Sequence, residues 1–351
     1  MTKQKILPYL IFIVLGIIVF EYIRAEVNID KTSEQSDKKI DMSNNNATIA
    51  FYNVENLFDI YNDPHTADNE FTPNGDLSWD KTRYTDKLSK IADVIADLNP
   101  SNAPAVLGFA EVENYDVLKD LIHTGALNKQ PYQIIHKDNH DKRGIDVAAI
   151  YREDLFNLKN SYFYPVTLPG EGEPTTRDIL HLEGEFGNHE LVHIFYTHWP
   201  SRRKGTKETA HKRIAVAKTL RTHIDAVLGQ DPKANIFILG DFNDEPSDKS
   251  LSQYLVKSDF YNLSQKFENT VNGTVNHQGD WLVFDQIIIS KHLLNDKQFN
   301  ISKNDIHIHQ NSDVTFTHRD GNQTPSRTYG GRKYYGGYSD HYAVYLNLKL
   351  H

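Results

Sequence analysis

Five short apolar runs, each next to polar side chains at one end, constrain this chain more than any other feature. Their length and composition are typical of buried β-strands. The runs are Thr48–Tyr52, Ala105–Ala110, Leu191–Thr197, Asn235–Leu239 and Tyr342–Leu348. Because open α/β sheets usually bind ligands beyond the ends of their strands, this pattern predicts a site built at one edge of a sheet.

The polar groups beside these runs are amides, carboxylates and imidazoles. They belong to Asn53 and Glu55, Glu111 and Glu113, His198, Asp241 and Asn243, and Asp340 and His341. Gly240-Asp-Phe-Asn243 alone is also an ordinary turn, although its i, i+2 spacing puts two side chains on one side of a strand. Five such strand ends are harder to explain as solvated turns, and they predict the convergent groups of a metal-assisted hydrolase.

Six motifs, taken in order, resemble the endonuclease/exonuclease/phosphatase superfamily, which includes deoxyribonuclease I, abasic-site endonucleases, inositol-polyphosphate 5-phosphatases and bacterial sphingomyelinases. The motifs are Tyr52–Phe58, Phe109–Glu111, Thr197–His198, Gly240–Asn243, Phe284–Gln286 and Ser339–His341. Glu111–Asn114 and His198–Arg203 are most similar to secreted bacterial nuclease-like members. The resemblance covers roughly residues 47–350 and implies a four-layer α/β/β/α sandwich of two mixed sheets, an α+β variant of the α/β class.

The resemblance also implies a metal site and a catalytic set. Glu111 is the expected principal metal ligand, with Asn53 beside it and Asp340 contributing directly or through water. Oxygen ligands without sulfur favour Mg²⁺, or Mn²⁺ in its place, over zinc. Glu113, two residues after Glu111, is expected to have a structural role.

The expected catalytic groups are Asp241, Asn243, His341, Asp285 and His198. Asp241 orients or deprotonates the attacking water, and Asn243 binds a phosphate oxygen. His341 acts as an acid/base or a cation poised by Asp285, and His198 donates to phosphate or to the leaving group. Whether Asp241 or His341 takes the water proton stays open.

Three arginines are candidate phosphate ligands, namely Arg177, Arg202 and Arg203. The net charge of −9 argues against binding duplex DNA over the whole surface, but it leaves room for a local basic groove. A second basic cluster, Arg327 with Arg332 and Lys333, overlaps the Gly/Tyr-rich segment 328–338. Such a segment could stack bases and hold phosphates, whereas solvated or floppy loops are the alternative interpretation.

The N-terminus predicts export. Lys3 and Lys5 precede a 15-residue apolar stretch, Ile6–Phe20, that fits a signal peptide better than a spanning helix. The sequence Ile23-Arg24-Ala25 is a poor cleavage site, so an uncleaved membrane anchor is the rival. Residues 1–25 are thus a signal or anchor, 26–46 a disordered tether and 47–351 the folded domain, in a protein that is periplasmic, extracellular or anchored to the membrane.

Composition is compatible with one large domain. The chain has 351 residues, 39% of them apolar, and no cysteine, which excludes disulfides and thiolate chemistry. Apolar stripes predict helices at Thr82–Leu98 and Thr206–Leu228, and further strands are expected at 132–136, 145–151, 179–186 and 283–290. Long polar segments at 61–80, 165–177 and 309–338 are expected to be loops.

The leading functional hypothesis is a monomeric, Mg²⁺-dependent phosphodiesterase that acts on DNA or RNA. A phosphatase or phosphodiesterase of phospholipids, inositol phosphates or other small phosphoesters is the second enzyme hypothesis. A binding module that has lost catalysis is the alternative outside enzymes. His307-Ile-His309 has the spacing of zinc ligands, but no third ligand stands nearby, so exposed strand histidines are the default interpretation.

Overall fold

Two six-stranded mixed sheets form the centre of the protein. The computed structural model describes residues 46–99, 101–187, 189–294 and 296–350. The sheets pack face to face through an apolar layer, and further apolar layers join each sheet to helices on its outer face. This is the four-layer α/β/β/α sandwich, so the fold prediction is confirmed.

The first sheet has a single parallel pairing among its described strands, between β1 and β2; its other pairings are antiparallel. Its strands, in spatial order, are β13 (Ile306–Ile308), β18 (Val344–Lys349), β1 (Asn46–Leu57), β2 (Val106–Val112), β4 (Asp146–Arg152) and β3 (Tyr132–Ile135). Helices α1 (Lys81–Leu98) and α2 (Tyr115–Ile122) cover its outer face.

The second sheet repeats this plan, with β7 and β8 parallel and its other described pairings antiparallel. Its strands, in spatial order, are β5 (Phe156–Tyr164), β6 (Ile179–Phe186), β7 (Val192–His198), β8 (Asn235–Asp241), β12 (Asp285–Ser290) and β9 (Phe260–Asn262). Helix α3 (Thr206–Gln230) and a π-helical segment, Ser250–Val256, pack on its outer face.

Smaller elements decorate the loops. Short 3₁₀ helices lie at Asn69–Phe71, Gly125–Lys129, Leu263–Phe267 and Lys291–Leu293. Three two-stranded ribbons pair β10 (Val275–His277) with β11 (Asp280–Leu282), β14 (Thr315–Thr317) with β15 (Gln323–Pro325), and β16 (Tyr329–Gly330) with β17 (Lys333–Tyr334). The polar segment 309–338 therefore carries two ribbons where the sequence predicts a plain loop.

The sheets approach closely because a glycine faces an aromatic ring between them. A Cβ on Gly108 would lie 2.1 Å from the ring of Tyr196, so no other residue fits at this position without displacing the ring. Phe51 stacks on the same ring at 6.3 Å between centroids. This contact holds the two sheets in the register that brings their strand ends together.

The predicted long helices are confirmed to within two residues at each end. Asp80 caps α1 by accepting the backbone N–H of Arg83 at 3.0 Å, and the helix ends just before Asn99-Pro100. Helix α2 is missed by the sequence analysis because it has only eight residues, too few for a clear period. Its N-cap Asn114 accepts the N–H of Val117.

The predicted export segment and tether lie outside the described residues, except for Asn46, which begins β1. Within the part of the chain that the structure describes, none of the helices combines the length and the apolar character needed to cross a bilayer.

Candidate active site

The candidate site lies at one end of the layer between the sheets, where rows of apolar side chains continue into polar ones. In β8, Phe237 and Leu239 face this layer, and Asp241 follows on the same side of the strand. Asp241 pairs in register with His198 of β7 on one side and with Asp285 of β12 on the other. The second sheet thus brings three predicted catalytic residues into one row.

The first sheet contributes its residues through irregular backbone. Pairing between β1 and β2 shifts register after Asn53, and pairing between β2 and β4 shifts at Glu111. Glu55, Asn56 and Glu111 have φ angles of 50°, 54° and 65°, a left-handed conformation that is uncommon for residues with a side chain. Such bulges re-aim side chains and cluster next to active sites.

His341 and Asp285 form a hydrogen-bonded pair, with 2.8 Å between Nδ1 and Oδ2. The other ring nitrogen, Nε2, lies 3.9 Å from Asp241 Oδ2 and 3.9 Å from Asp340 Oδ1. Burial alone would lower the pKa of His341, but Asp285 and Asp241 outweigh it and raise the pKa well above its ordinary value. This raised pKa favours a cationic His341, which is one of the two roles expected for it.

Asp241 is buried and held at both carboxylate oxygens. Oδ2 accepts Asn53 Nδ2 at 3.1 Å, and Oδ1 accepts the backbone N–H of Asn243 at 2.9 Å. Burial raises the pKa of Asp241, the His341 cation opposes that rise, and Asp285 adds to it. A carboxylate with a raised pKa is a better proton acceptor than an ordinary one.

His198 contrasts with His341, since its imidazole is neutral. Its Nε2 lies 3.5 Å from Asp241 Oδ2 and 3.9 Å from Glu111 Oε1. Burial lowers its pKa well below the ordinary value, and the nearby Arg177, Arg143 and His341 cations lower it further. His198 can therefore offer a neutral hydrogen bond beside the charged His341.

The predicted metal ligands Glu111, Asp340 and Asn53 offer hard oxygen atoms, several of which already accept hydrogen bonds within the protein. Glu111 Oε2 accepts the N–H of Asn56 at 3.1 Å, Asp340 Oδ2 pairs with Arg327 at 2.7 Å, and the Asn53 amide oxygen accepts the N–H of Glu55 at 3.1 Å. One carboxylate oxygen of Glu111 and one of Asp340 stay free of these bonds.

Negative charge accumulates around these oxygens. Burial is the main cause that raises the pKa of Glu55 to about 7, and the neighbouring Asp340 carboxylate adds to the rise. A divalent cation would relieve this repulsion, and the donor set suits Mg²⁺ or Mn²⁺, so the residues fit the expected metal.

Glu55 and Lys87 hold the Gly/Tyr-rich segment 328–338 against the site. Glu55 accepts the backbone N–H groups of Thr328 and Tyr329 at 2.6 and 3.3 Å. The fully buried ammonium of Lys87 donates to the Thr328 hydroxyl and the Tyr338 carbonyl, both at 2.6 Å. A lysine in the apolar stripe of α1, three residues after Tyr84, is the sequence signal that could have revealed this anchor.

Arg143 is a site residue that the sequence analysis missed. It donates to the Asn56 side chain and lies 3.7 Å from Glu111 Oε2. Its position just before Gly144 and β4, at the same sheet edge as the other strand ends, is the signal that could have found it. Glu113, by contrast, accepts the N–H of Asp59 at 2.6 Å, which is the structural role expected for it.

The predicted phosphate ligands Arg177 and Arg202 are already engaged within the protein. Arg177 donates to Asp141 Oδ2 and to the Trp199 carbonyl, both at 2.8 Å. Arg202 donates to the Asn243 carbonyl at 2.7 Å and to Asp244 at 2.8 Å, and it also pairs with Asp248. These hydrogen bonds favour a role for Arg177 and Arg202 in positioning the catalytic loops. Arg203, by contrast, is exposed.

A cleft of about 1170 Å³ opens beside these residues. Its walls are rich in arginines and aromatic rings, and Asn243, Glu55 and Asp340 lie among its lining residues. The basic and aromatic lining residues are Arg202, Arg203, Arg327, Arg332, Phe71, Phe284 and Tyr329. The cleft is large enough for an extended substrate.

The zinc hypothesis for His307 and His309 gains no support. His307 stacks on Tyr345, and His309 Nε2 lies 3.6 Å from Asp97 Oδ2. Neither histidine belongs to a group of three metal-ligating side chains among the described residues.

Comparisons with known proteins match this architecture. The chain is similar to the human Nocturnin catalytic domain with bound sulfate (16% identity, TM-score 0.55, covering 88% of this chain and 95% of that one). It is similar to truncated TDP2 of Caenorhabditis elegans (16% identity, TM-score 0.53, covering 87% and 97%). It is also similar to D. rerio TDP2 complexed with a single-strand DNA product (12% identity, TM-score 0.50, covering 86% and 98%).

At these identities the likeness shows the fold alone. No curated protein matches the sequence. The model of the Endonuclease/Exonuclease/phosphatase family, however, matches residues 48–350, which include all the strand-end residues described above. The chain therefore belongs to the endonuclease/exonuclease/phosphatase family.

Proposed function

We propose that this protein is a metal-dependent phosphodiesterase that hydrolyses nucleic acid. Membership of the endonuclease/exonuclease/phosphatase family supports a phosphoric ester hydrolase. The observation that carries the proposal is the row His198, Asp241 and Asp285, with the His341 cation across it, beside an arginine-lined cleft.

In this mechanism Asp241 orients the attacking water and accepts its proton. Its buried carboxylate is kept in place by Asn53 and Asn243. The proton acceptor stands beside His341, whose positive charge stabilises the charge that develops on the phosphoryl oxygens. Asp285 accepts a hydrogen bond from His341 Nδ1 and so fixes the orientation of the ring.

Neutral His198 adds a hydrogen bond to the phosphoryl group or the leaving oxygen without adding another cation. The Asn243 side-chain amide donates to the Trp199 carbonyl at 3.0 Å, which fixes its carbonyl and amide groups beside the cleft. Asn53, Glu111 and Asp340 would hold Mg²⁺ or Mn²⁺, which when bound neutralises charge on the substrate phosphate.

Two features support nucleic acid as the substrate. Four arginines line the cleft together with the carboxylates of Glu55, Glu70, Asp280 and Asp340, and the exposed Arg203 among them could contact a phosphate backbone. Tyr335 is 55% exposed, in the anchored segment 328–338, beside Lys333, whose ammonium lies 4.8 Å from the ring centroid. Exposed rings of this kind stack on bases, and one solved neighbour holds a single-strand DNA product.

The test uses the purified protein with supercoiled plasmid and with single-stranded oligonucleotide, in Mg²⁺ and in chelator. Cleavage that requires the metal and that His341→Ala lacks supports the proposal. The matched control is His307→Ala, which removes an exposed imidazole far along the first sheet and keeps full activity. If neither polymer is cut while bis-p-nitrophenyl phosphate is hydrolysed, the nucleic-acid proposal is wrong, and lipids and small phosphoesters become the substrates to test.

We also propose that the protein acts outside the cytoplasm as a monomer, exported or tethered through its N-terminal segment. The basic and apolar residues 3–20 support this location. Fractionation of cells expressing the full chain tests it, because recovery of the protein in the cytoplasmic fraction would contradict export.

A further inference from the structure

A second cluster of metal-ligating side chains lies on the outer face of the second sheet, away from the candidate active site. His181 and Glu183 of β6 face His193 of β7, and Glu183 and His193 are paired across the strands. His193 and His198 are five positions apart along an extended strand, roughly 17 Å. The odd spacing places them on opposite faces, so this cluster shares no ligand with the candidate active site.

We propose that His181, Glu183 and His193 form a second metal site, which takes a transition-metal ion of the zinc class through two imidazoles and one carboxylate. One ligand atom from each of the three residues lies within 4.8 Å of the other two. His181 Nε2 and His193 Nδ1 are 3.0 Å apart, and His193 Nδ1 is 3.7 Å from Glu183 Oε1.

These separations match a tetrahedral site. Zinc–nitrogen bonds of about 2.0–2.1 Å place neighbouring tetrahedral ligands roughly 3.3–3.4 Å apart. Two of the three separations, 3.0 and 3.7 Å, fall on either side of that value, and the third is within 4.8 Å, so side-chain adjustments can bring all three ligands to an ion. A water molecule can complete the coordination, since the side chains of Glu183 and His193 are 20% and 10% exposed.

A second layer of hydrogen bonds orients the three ligands. Tyr164 hydroxyl binds His181 Nδ1 at 3.1 Å, which leaves Nε2 directed into the cluster. Glu183 Oε2 accepts Asn160 Nδ2 at 2.8 Å and the Tyr162 hydroxyl at 3.3 Å, which leaves Oε1 for a metal. Metal-ligating histidines and carboxylates are commonly held in this way.

The arrangement of the imidazoles also suits a metal. His181 and His193 are both buried, and their facing ring nitrogens, Nε2 and Nδ1, are directed towards each other within the cluster. Two nitrogen ligands and one carboxylate favour zinc-class ions over Mg²⁺, which prefers oxygen. The site joins β5, β6 and β7, and His223 of α3 stacks on Tyr164 at 3.6 Å, so a bound ion would stabilise this face of the fold.

The test titrates Co²⁺, as a spectroscopic substitute for zinc, into the full chain held in excess Mg²⁺. We expect one equivalent to give the visible absorption of tetrahedral Co²⁺. Glu183→Gln and His193→Gln should each weaken binding by more than about 100-fold, since even second-layer partners of a metal site contribute 10–100-fold. Glu111→Gln, in the candidate active site, should leave this signal intact.

Glutamine has the same size as glutamate, and the Glu183 side chain is partly exposed, so we expect Glu183→Gln to fold. This variant decides the test if His193→Gln does not fold. Zn²⁺ should raise the Tm of the wild type and not that of Glu183→Gln. The proposal is overturned if the wild type shows no tetrahedral Co²⁺ spectrum at stoichiometric metal, or if folded Glu183→Gln binds Co²⁺ as tightly as wild type. It does not depend on the proposed nuclease activity.

Discussion

His198 and His193 stand at opposite ends of one strand, and their surroundings prepare imidazoles for different chemistry. At the His198 end, carboxylates of Asp241, Asp285 and Asp340 surround His341 and keep it positively charged. At the His193 end, burial dominates and the imidazoles of His181 and His193 are neutral. A direct hydrogen bond to a buried carboxylate, that of Asp285, therefore distinguishes the cationic His341 from these neutral imidazoles.

The largest expected difference between these two ends is in catalysis. His341→Ala should lower kcat by at least about 100-fold, since it removes the positive charge facing the phosphoryl group. His193→Gln should leave kcat within about twofold in Mg²⁺, because it lies on the other face of the sheet. Steady-state hydrolysis by both variants checks this. Equal losses would show that the two ends are not functionally separate.

The next difference is in the metal requirement. Glu111→Gln should shift the Mg²⁺ concentration for half-maximal activity upwards by at least about tenfold, because it removes the expected principal ligand. Glu183→Gln should leave this Mg²⁺ titration unchanged. An unshifted titration for Glu111→Gln would contradict the assignment of Glu111 as a metal ligand.

The two ends should also respond to pH with opposite signs. Burial lowers the pKa of His223, stacked on Tyr164 beside the outer cluster, to about 4. In the unfolded chain the His223 imidazole takes up a proton at about pH 6.5. The free energy of unfolding is therefore highest above that pH, as far as His223 is concerned, and decreases as pH falls towards 4. His341, with a raised pKa, instead contributes stability that is complete below about pH 6.5 and is lost as pH rises through its folded pKa.

Urea denaturation in chelator at pH 7 and pH 5 measures the loss in the free energy of unfolding on acidification, to which His223 should contribute. His223→Gln should reduce the acid-induced loss in the free energy of unfolding by roughly 1–2 kcal/mol, after allowing for partial exposure. The control His277→Gln, at an exposed position, should keep the wild-type loss. The same loss in His223→Gln as in wild type would exclude a contribution from this histidine.

The smallest expected effect concerns the charges that line the cleft. The logarithm of the oligonucleotide binding constant falls linearly with the logarithm of the salt concentration. Arg203→Ala and Arg332→Ala should each reduce the magnitude of this salt slope by about one, with little change in kcat. Lys159→Ala removes a cation that pairs with Glu185 on the edge of the second sheet, and should leave the slope unchanged. Equal slopes for all three variants would place the nucleic acid elsewhere.

The sequence predicts the buried strands, the long helices and the strand-end residues because each depends on local pattern. Asp241 and Asn243 are found by their position after an apolar run, and His341 by its position before one. Their convergence depends on strand order and on the parallel pairs β1–β2 and β7–β8, whereas the resemblance implied only the four-layer sandwich of two mixed sheets.

Residues that act through long-range contacts could not be predicted from local pattern. Lys87 is 241 residues away from Thr328 along the chain, and the pairing of the two appears only once α1 packs beside segment 328–338. Arg202 appears from its sequence to be a free cation, but the folded chain places Asp244 and Asp248 against it. The His181–His193 cluster needs the β6–β7 register, which spacing alone does not reveal.

The most direct test of the central claim is the single-turnover rate of oligonucleotide cleavage by wild type and Asp241→Asn in saturating Mg²⁺. Asparagine preserves size and one of the two acceptor oxygens, but it cannot accept the water proton. We predict a rate at least about 100-fold lower in Asp241→Asn, in a protein that stays folded because removing the buried charge offsets the loss of one hydrogen-bond acceptor. A folded Asp241→Asn protein that cleaves within about threefold of the wild-type rate would contradict the assigned site.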